Sequence, residues 1–435
     1  MKPQARIQAT IDVLEKIYAN KRIPMDGVVG DYMRRRRYIG SKDRSNIAER
    51  IYDVMRAHAR LGWWLEQNKA EDTARNRVLA FVALVEGADE KRITKDLFDG
   101  SKYAPEPLSD AELAFAKKLI GQSLEHKDMP ASLRAECPAL YEEKLKAYFG
   151  DDFEAEMSAM IPGATLDMRV NTFTCNIEKA ENYLEADGVK TERTPYSPHG
   201  LRALGKAYLA RTKAFNKGWI EIQDEGSQMI ANVCDAQPGM QVLDYCAGAG
   251  GKTLALAAAM QRKGRIVAMD MDEKRLMKGK DRYKKAGVAD IIETRALSED
   301  KQRKWLKRQA GKFDIVLLDV PCTGTGTWRR NPDMRWTTYG PSLEELVEIQ
   351  QDILERACKA VKPGGKLVYA TCSLLPDENE NQVEKFLAAH PEFEAQPLDE
   401  NLKIGNPYMR LTPHRHNTDG FFAAVMVKSE DDQAI

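Results

Sequence analysis

Hydrophobic positions in the first part of the chain recur at helical spacing. One such face follows the polar residues 41–45, which suit a helix N-terminus, and it consists of Ile47, Ile51, Val54 and Leu61. Further helices are predicted at residues 78–85 and 111–119. Few strand-like alternations occur before about residue 130, so this region is predicted to be all-α.

From about residue 138 onwards the pattern mixes helices with strands. A helix is predicted at residues 141–149, a strand at 166–172 and a second helix at 177–186, before a turn region at 196–200. This combination predicts a small α+β unit.

From residue 239 onwards short β-rich runs alternate with helical stretches. The predicted strands are residues 241–245, 265–270, 291–294, 314–319, 366–371 and 421–427. The helices predicted between them include residues 253–260, 272–286 and 343–361. This alternation is typical of an α/β fold with a doubly wound, Rossmann-like parallel sheet. Since 435 residues exceed one ordinary domain, two or three domains are expected.

The composition argues against several classes of protein. The chain is 43% hydrophobic but has no apolar run of membrane-spanning length and no signal-peptide core after its first residues, so we expect a cytoplasmic protein. Seven cysteines at irregular spacing, without a Cys-x-x-Cys pair, argue against a disulfide framework and a zinc site. We therefore predict no metal.

The net charge of zero conceals a basic N-terminus. Residues 1–64 carry 14 Lys or Arg and 7 Asp or Glu, a local charge of +7, and include four consecutive arginines at 34–37. A basic module on a neutral protein suits a polyanionic partner. Taken alone, a run of arginines is more commonly a solvated surface.

A glycine-rich loop follows the first strand of the predicted sheet. It consists of Cys246, Ala247, Gly248, Ala249, Gly250, Gly251 and Lys252. Its end is similar to a phosphate-binding P-loop, but Cys246 stands where that motif needs glycine. Asp270 ends the second strand, where a carboxylate can bind the two hydroxyls of a ribose. The pattern suits S-adenosylmethionine or a dinucleotide, and the alternative is a tight turn without a ligand.

Two further strands end beside cysteines. Asp319 and Cys322 follow the fourth strand, and Cys372 ends the fifth. Ligands of a doubly wound sheet gather at the carboxyl ends of its strands, so we expect these side chains to meet there. Each cysteine taken singly is more commonly a buried thiol, but the pair beside Asp319 favours a reactive site. A nucleophilic thiol needs a lowered pKa, for which Lys252 or a helix end could supply the field.

Several motifs occur in an order and spacing that resemble a known family. They are residues 223–228, 244–253, 268–272, 319–322, 329–336, 369–373 and 418–422. Together they resemble the RNA cytosine-5 methyltransferases of the Sun/RsmB type over about residues 138–430. The chain departs from that family at Ala249, where proline is usual, and at residues 294–296, which lack the acid usual after the third strand.

The resemblance implies three domains and an RNA partner. A NusB-like RNA-binding domain is expected at residues 1–135, a small RNA-recognition-like subdomain at 136–230, and an S-adenosylmethionine-dependent methyltransferase domain at 231–435. The NusB-like domain, found on bacterial ribosomal members of the family, favours small-subunit ribosomal RNA. We expect a monomer that does not associate with membranes.

The resemblance also implies a reaction, the methylation of carbon 5 of a cytosine through a covalent enzyme–base adduct. It assigns the attack on carbon 6 to Cys372, contact with the pyrimidine edge to Asp319, and product release to Cys322, with Lys252 beside them. The glycine loop, Asp270 and Asp319 would bind S-adenosylmethionine. The alternatives are a tRNA cytosine-5 methyltransferase and a non-catalytic RNA-binding assembly factor.

Overall fold

The computed structural model describes residues 1–20 and 22–430, which form two compact units. The helical unit comprises Met1–Gly163 and Trp328–Pro341, and the sheet unit comprises Ala164–Thr327 and the chain from Ser342 onward. The chain therefore crosses between the units three times. These divisions differ from the boundaries predicted at residues 135 and 230, and the three-domain division stays a prediction.

The helical unit contains the helices predicted from the first 130 residues, and its core consists of their apolar faces. Ile47, Ile51, Val54 and Leu61 are all fully buried, as their spacing predicts. Its helices are α1 (Pro3–Ala19), α2 (Met25–Arg35), α3 (Ser41–Arg56), α4 (His58–Gln67), α5 (Ala74–Leu84), α6 (Asp110–Leu119), α7 (Ala131–Arg134), α8 (Ala139–Phe149) and α9 (Phe153–Ala159).

A distant part of the chain completes this unit. We call Trp328–Pro341 the insert, because it interrupts the sheet unit in sequence while belonging to the helical unit. Trp328 is fully buried. The guanidinium of Arg335 donates hydrogen bonds to the backbone oxygens of Glu136 and Met157, both at 3.2 Å. The insert thus supplies hydrogen bonds to backbone oxygens of the helical unit.

The sheet unit begins with a small antiparallel sheet of order β2-β3-β1-β4. Its strands are β1 (Asp167–Val170), β2 (Thr191–Arg193), β3 (Gly200–Ala203) and β4 (Ile220–Ile222). The helices in this region are α10 (Ile177–Ala186), α11 (Lys213–Asn216) and α12 (Glu225–Cys234). Met168, Val170, Leu201 and Ile220 point to one face and form a hydrophobic core with α10 and α11.

A larger sheet of order β10-β12-β9-β8-β5-β6-β7 follows, with β11 paired to β12. Its strands are β5 (Gln241–Asp244), β6 (Arg265–Asp270), β7 (Ile292–Ala296), β8 (Phe313–Asp319), β9 (Val361–Thr371), β10 (Phe393–Ala395), β11 (Met409–Leu411) and β12 (Phe421–Lys428). Strands β5 to β9 run parallel, whereas β10, β11 and β12 pair antiparallel. This confirms the predicted Rossmann-like sheet.

Helices cover both faces of the large sheet. They are α13 (Gly251–Ala259), α14 (Glu273–Lys285), α15 (Asp300–Lys307), α16 (Leu343–Ala357), α17 (Glu380–Ala389) and α18 (Pro413–His416). Alternate residues of each strand enter different cores: Val242 and Ile266 pack on one face, whereas Leu243 and Val267 pack on the other. Two buried faces explain why these strands read as continuous apolar runs.

The start of the fifth parallel strand differs from the prediction. Helix α16 ends at Ala357, and a short 3-10 turn at Cys358–Ala360 leads into β9 at Val361 rather than at residue 366. Residues 363–365 are a proline and two glycines. They form an irregularity within the strand, where the register with β8 shifts.

No helix within residues 1–20 and 22–430 is long and apolar enough to cross a membrane.

Candidate active site

The carboxyl ends of four parallel strands bring the predicted site residues to one edge of the large sheet. Asp244 ends β5, Asp270 ends β6, Asp319 ends β8, and Cys372 directly follows β9. Adjacent strands of a parallel sheet end at the same edge, so the convergence follows from the strand order.

The glycine loop turns sharply between β5 and α13. Gly250 has a φ of +81°, and a Cβ atom at this position would lie 2.2 Å from the hydroxyl oxygen of Tyr283. Only glycine satisfies both constraints. The backbone oxygen of Ala249 accepts a hydrogen bond from Arg282 Nη1 at 2.6 Å. This contact restrains the loop at the position where proline is usual in the family that the sequence resembles.

Asp270 ties the glycine loop to the second strand. Its Oδ2 accepts a hydrogen bond from the Gly248 backbone N–H at 2.7 Å, and its Oδ1 accepts one from the Asp272 backbone N–H at 2.7 Å. Each carboxylate oxygen retains a second lone pair. Asp270 can therefore order the loop and still accept hydrogen bonds from ribose hydroxyls.

Lys252 and Asp319 form a close ion pair. The distance from Lys252 Nζ to Asp319 Oδ2 is 2.6 Å, and Lys252 is buried. Burial alone would lower the pKa of the Lys252 ammonium, but the carboxylate of Asp319 outweighs it and the pKa is raised. Lys252 is therefore a fixed positive charge that orients Asp319.

The two predicted thiols lie side by side. Cys322 Sγ and Cys372 Sγ are 3.4 Å apart. The hydrogen bond with Cys372 and burial together raise the pKa of Cys322 well above its usual value. Cys322 is therefore a neutral thiol at neutral pH and can donate its proton towards Cys372.

A third cysteine at this edge is chemically different. Burial raises the pKa of Cys246 well above its usual value, and the carboxylates of Asp319, Asp270 and Asp244 raise it further. Nucleophilic attack requires the thiolate. Cys246 therefore contributes packing and backbone to the glycine loop rather than a nucleophile.

A buried polar network, which the sequence analysis did not identify, holds the loop after β8 against the loop after β9. Glu378 is fully buried and accepts hydrogen bonds from the Thr323 backbone N–H at 2.8 Å and from Gln350 Nε2 at 3.0 Å. Gln350 also donates to the backbone oxygen of Pro321 at 2.9 Å. These bonds fix the residues on both sides of Cys322.

The backbone of the second thiol is fixed by two glycines. The Gly326 backbone N–H donates to the Cys372 oxygen at 2.9 Å, and the Gly420 backbone N–H donates to the Gly326 oxygen at 2.8 Å. A Cβ atom at Gly326 would lie 2.2 Å from the Gly420 oxygen. The close approach of these segments explains the glycine at 420 in the 418–422 motif.

Asp244 is the first residue of the 244–253 motif and was not predicted to be a site residue. It is fully buried, and its Oδ2 accepts a hydrogen bond from Thr253 Oγ1 at 2.7 Å. Its Oδ1 has no hydrogen-bond partner among the described residues. Burial raises the pKa of Asp244 to about 7, and the nearby charges of Asp319 and Asp270 raise it as well.

In the part of the chain that the structure describes, no group of three or more His, Cys, Asp or Glu side chains could hold a metal ion.

Comparison with known proteins identifies the family. Residues 231–427 match the family described as 16S rRNA methyltransferase RsmB/F. A probable ribosomal RNA small subunit methyltransferase B of Synechocystis is 33% identical over 295 residues, which are 66% of this chain and 63% of that protein. The ribosomal RNA small subunit methyltransferase B of Yersinia pseudotuberculosis is 28% identical over 402 residues, 90% of this chain and 92% of that protein. The protein in the solved structure titled crystal structure of PH0851 is 30% identical in sequence to this chain. The two structures superpose with a TM-score of 0.78, and the match covers 98% of this chain and 99% of that one. The chain belongs to the RsmB/F family.

Membership of the RsmB/F family confirms the predicted enzyme class, an RNA methyltransferase, and the predicted fold. Members of the RsmB/F family use S-adenosylmethionine, which confirms the predicted cofactor over the dinucleotide alternative. The residues fit such a ligand, because the glycine loop offers a close backbone approach and Asp244 Oδ1 lies unpaired at the same edge.

Proposed function

We propose that this protein methylates carbon 5 of a cytosine in small-subunit ribosomal RNA through a covalent adduct with Cys372. One observation carries the proposal: two thiols lie 3.4 Å apart beside a Lys252–Asp319 pair at the cofactor edge of the sheet. A methyltransferase that used only a nucleophilic oxygen or nitrogen of its substrate would not need a pair of thiols.

The two thiols divide the covalent chemistry between them. Carbon 5 of cytosine is a weak nucleophile, and addition of a thiolate at carbon 6 makes carbon 5 electron-rich. The pKa of Cys322 is raised, so it stays protonated, and the attack is therefore assigned to Cys372, whose sulfur lies 3.4 Å away. After methyl transfer, Cys322 would pass its own proton to the sulfur of Cys372, 3.4 Å away, as it takes up the carbon-5 proton, so the electrons of the broken carbon–hydrogen bond form the ring double bond and those of the Cys372–carbon-6 bond leave with the Cys372 sulfur.

Asp319 would bind the edge of the pyrimidine ring. Lys252 holds its Oδ2 at 2.6 Å, which leaves the Oδ1 oxygen free of that pair. Once Asp319 had taken up the proton that Cys372 loses, its carboxylic acid would protonate the ring nitrogen and stabilise the charge that develops when the thiolate adds. The target base reaches this pocket only after leaving its stack.

The glycine loop and Asp270 would hold S-adenosylmethionine, whose sulfonium supplies the methyl group. Gly248, Gly250 and Gly251 would let the cofactor approach the backbone closely, and Asp270 would accept hydrogen bonds from the ribose hydroxyls. Lys252 lies in the first turn of α13 and pairs with Asp319. It would thus join the cofactor loop to the carboxylate that binds the base.

Two variants and one gel test the adduct. Cys372→Ala should transfer no methyl group to small-subunit ribosomal RNA and form no covalent complex. Cys322→Ala should form the adduct and methylate the base but fail to release it, giving a slow band on a denaturing gel. Cys246→Ala, which removes the third thiol at this edge, serves as the matched control and should give no trapped band.

The outcomes separate the alternatives. A trapped band with Cys372→Ala and none with Cys322→Ala would exchange the two roles. Full activity without a band in both variants would refute the covalent route. Bisulfite sequencing of RNA from cells with and without the gene would identify the methylated molecule, and a change confined to tRNA would refute the ribosomal assignment.

A further inference from the structure

The four strands of the small antiparallel sheet carry no aromatic side chain on which an RNA base could stack. Its second face carries Arg202, which is buried and pairs with Asp167 at 2.7 and 2.9 Å, and Glu221, which pairs with Arg282 of α14 at 2.9 Å. The first face forms the core with α10 and α11 described above. Sheets that read single-stranded RNA stack bases on exposed aromatic side chains. Base stacking in this region must therefore come from a segment outside the strands.

Such a segment directly follows β3. We call residues 204–217 the basic segment, because it contains no Asp or Glu and carries Lys206, Arg211, Lys213 and Lys217. Two of its large side chains are exposed: Tyr208 is 70% exposed and Leu204 is 58% exposed. The exposed ring of Tyr208 therefore lies in a stretch of chain whose charged side chains are all cationic.

Cations and aromatic rings alternate along the basic segment and around it. The Arg211 guanidinium lies 5.5 Å from the centre of the Tyr208 ring, and Lys285 Nζ of α14 lies 3.6 Å from that of Phe215. A cavity of about 520 Å³ adjoins Tyr208 and is lined by Thr165, Leu166 and Lys206 among others. Aromatic faces that stack on bases, next to cations that contact phosphates, are what single-stranded nucleic acids require.

Hydrogen bonds link the strand before the basic segment to the backbone around the thiols. The strand before it, β3, contains Arg202, whose Nη2 donates to the backbone oxygen of Asn417 at 3.2 Å. The same loop continues to Gly420, which bonds to Gly326, and Gly326 bonds to Cys372. These hydrogen bonds, together with the loop from Asn417 to Gly420, thus connect Arg202, two residues before the basic segment, to the backbone of Cys372.

We propose that the basic segment binds the single-stranded RNA that flanks the target cytosine, with a base stacked on Tyr208 and phosphates contacted by Arg211 and Lys213. This inference rests on the proposed function, since it assumes an RNA substrate. It adds a residue that selects an unpaired flanking nucleotide, because a base can stack on Tyr208 only when it is free of its own helix.

The test compares three variants in binding to a short single-stranded RNA and to the same sequence in a duplex. Tyr208→Ala should weaken binding of the single strand about 5- to 150-fold, the range for loss of one base–aromatic stack. Tyr208→Phe keeps the ring and should bind as the wild type does. Tyr103→Ala removes a tyrosine of the helical unit that is 72% exposed and has Lys102 Nζ 5.2 Å from its ring centre, and it should also bind normally. Affinity for S-adenosylmethionine should be unchanged in all three.

Several outcomes would overturn the inference. Unchanged RNA affinity in Tyr208→Ala, an equal loss in Tyr103→Ala, or an equal loss in Tyr208→Phe would each remove the stacking role. Normal RNA affinity with lost binding to small-subunit ribosomal proteins would assign the surface to protein instead. The proposed function fails separately, if the wild type transfers no methyl group to RNA, because the binding assay requires no methyl transfer.

Discussion

The buried carboxyl group of Asp244 predicts a specific dependence of stability on pH. Its pKa is raised from 3.8 to about 7 by burial and by neighbouring carboxylates. Between about pH 4 and pH 7 the folded protein therefore holds a proton that the unfolded chain has released. The stabilisation is fully present below about pH 4 and is lost as the pH rises through about 7.

The magnitude follows from the size of the shift. A rise of about three pKa units, at 1.36 kcal/mol per unit, corresponds to roughly 4 kcal/mol of unfolding free energy lost across this window. Asp244→Asn keeps the shape and an oxygen that can accept the Thr253 hydrogen bond, but it cannot ionise. The variant should therefore lack this part of the pH dependence.

The assay is urea unfolding at several pH values, with hydrogen–deuterium labelling of β5 and β6 to assign the transition to the sheet unit. All other groups titrate in both proteins, so the difference in unfolding free energy isolates residue 244. That difference should fall by about 1.4 kcal/mol per pH unit as the pH rises through the window. Parallel curves for the wild type and Asp244→Asn would refute the reasoning, because they would show that Asp244 ionises in the folded protein as it does in the unfolded chain.

Three further predictions concern ligands and the thiol loops. Asp270→Ala should weaken binding of S-adenosylmethionine and of its demethylated product equally, by roughly 1–3 kcal/mol, and unchanged affinities by calorimetry would refute the ribose assignment. Replacing the arginines at 34–37 with Gln should weaken RNA binding and flatten its salt dependence without altering cofactor affinity; an identical salt slope would leave this run as a solvated surface. Glu378→Ala should lower the free energy of unfolding by about 2–5 kcal/mol and slow methyl transfer, because it leaves the N–H groups of Thr323 and Gln350 without their acceptor. Glu378→Gln, which can still accept those bonds, should be much milder, and equal losses in both would contradict the positioning role.

The fold of the large sheet could be predicted from the sequence because its strands repeat one local pattern. Strand β6 was predicted at its observed bounds, and β8 within one residue, since apolar runs bounded by turns are a local signal. The start of β9 was not predictable, because a proline and two glycines ordinarily form a turn. Here they remain within the strand, since the pairing of β9 with β8 shifts register at this point. That information lies in the pairing of strands and not in the run itself.

Site residues at the ends of strands could be predicted from the sequence. The convergence of Asp270, Asp319 and Cys372 follows from strand order alone. Asp244 and Glu378 differ, because an acidic residue in a sequence is ordinarily exposed. Only the packing of α13 on β5, and of the turn before α17 on the thiol loops, makes these two carboxyl groups buried and therefore important.

The insert has a consequence for how the protein is made. Trp328 and Arg335, which complete the core of the helical unit, leave the ribosome long after Gly163, and only after β5 to β8 have been synthesised. The N-terminal helices therefore cannot reach their final packing while they are the only part of the chain that exists, although domains usually fold in the order of synthesis. A nascent chain ending at Gly163 would leave the backbone oxygens of Glu136 and Met157 without Arg335. The helical unit can therefore complete its core only after the insert has been synthesised.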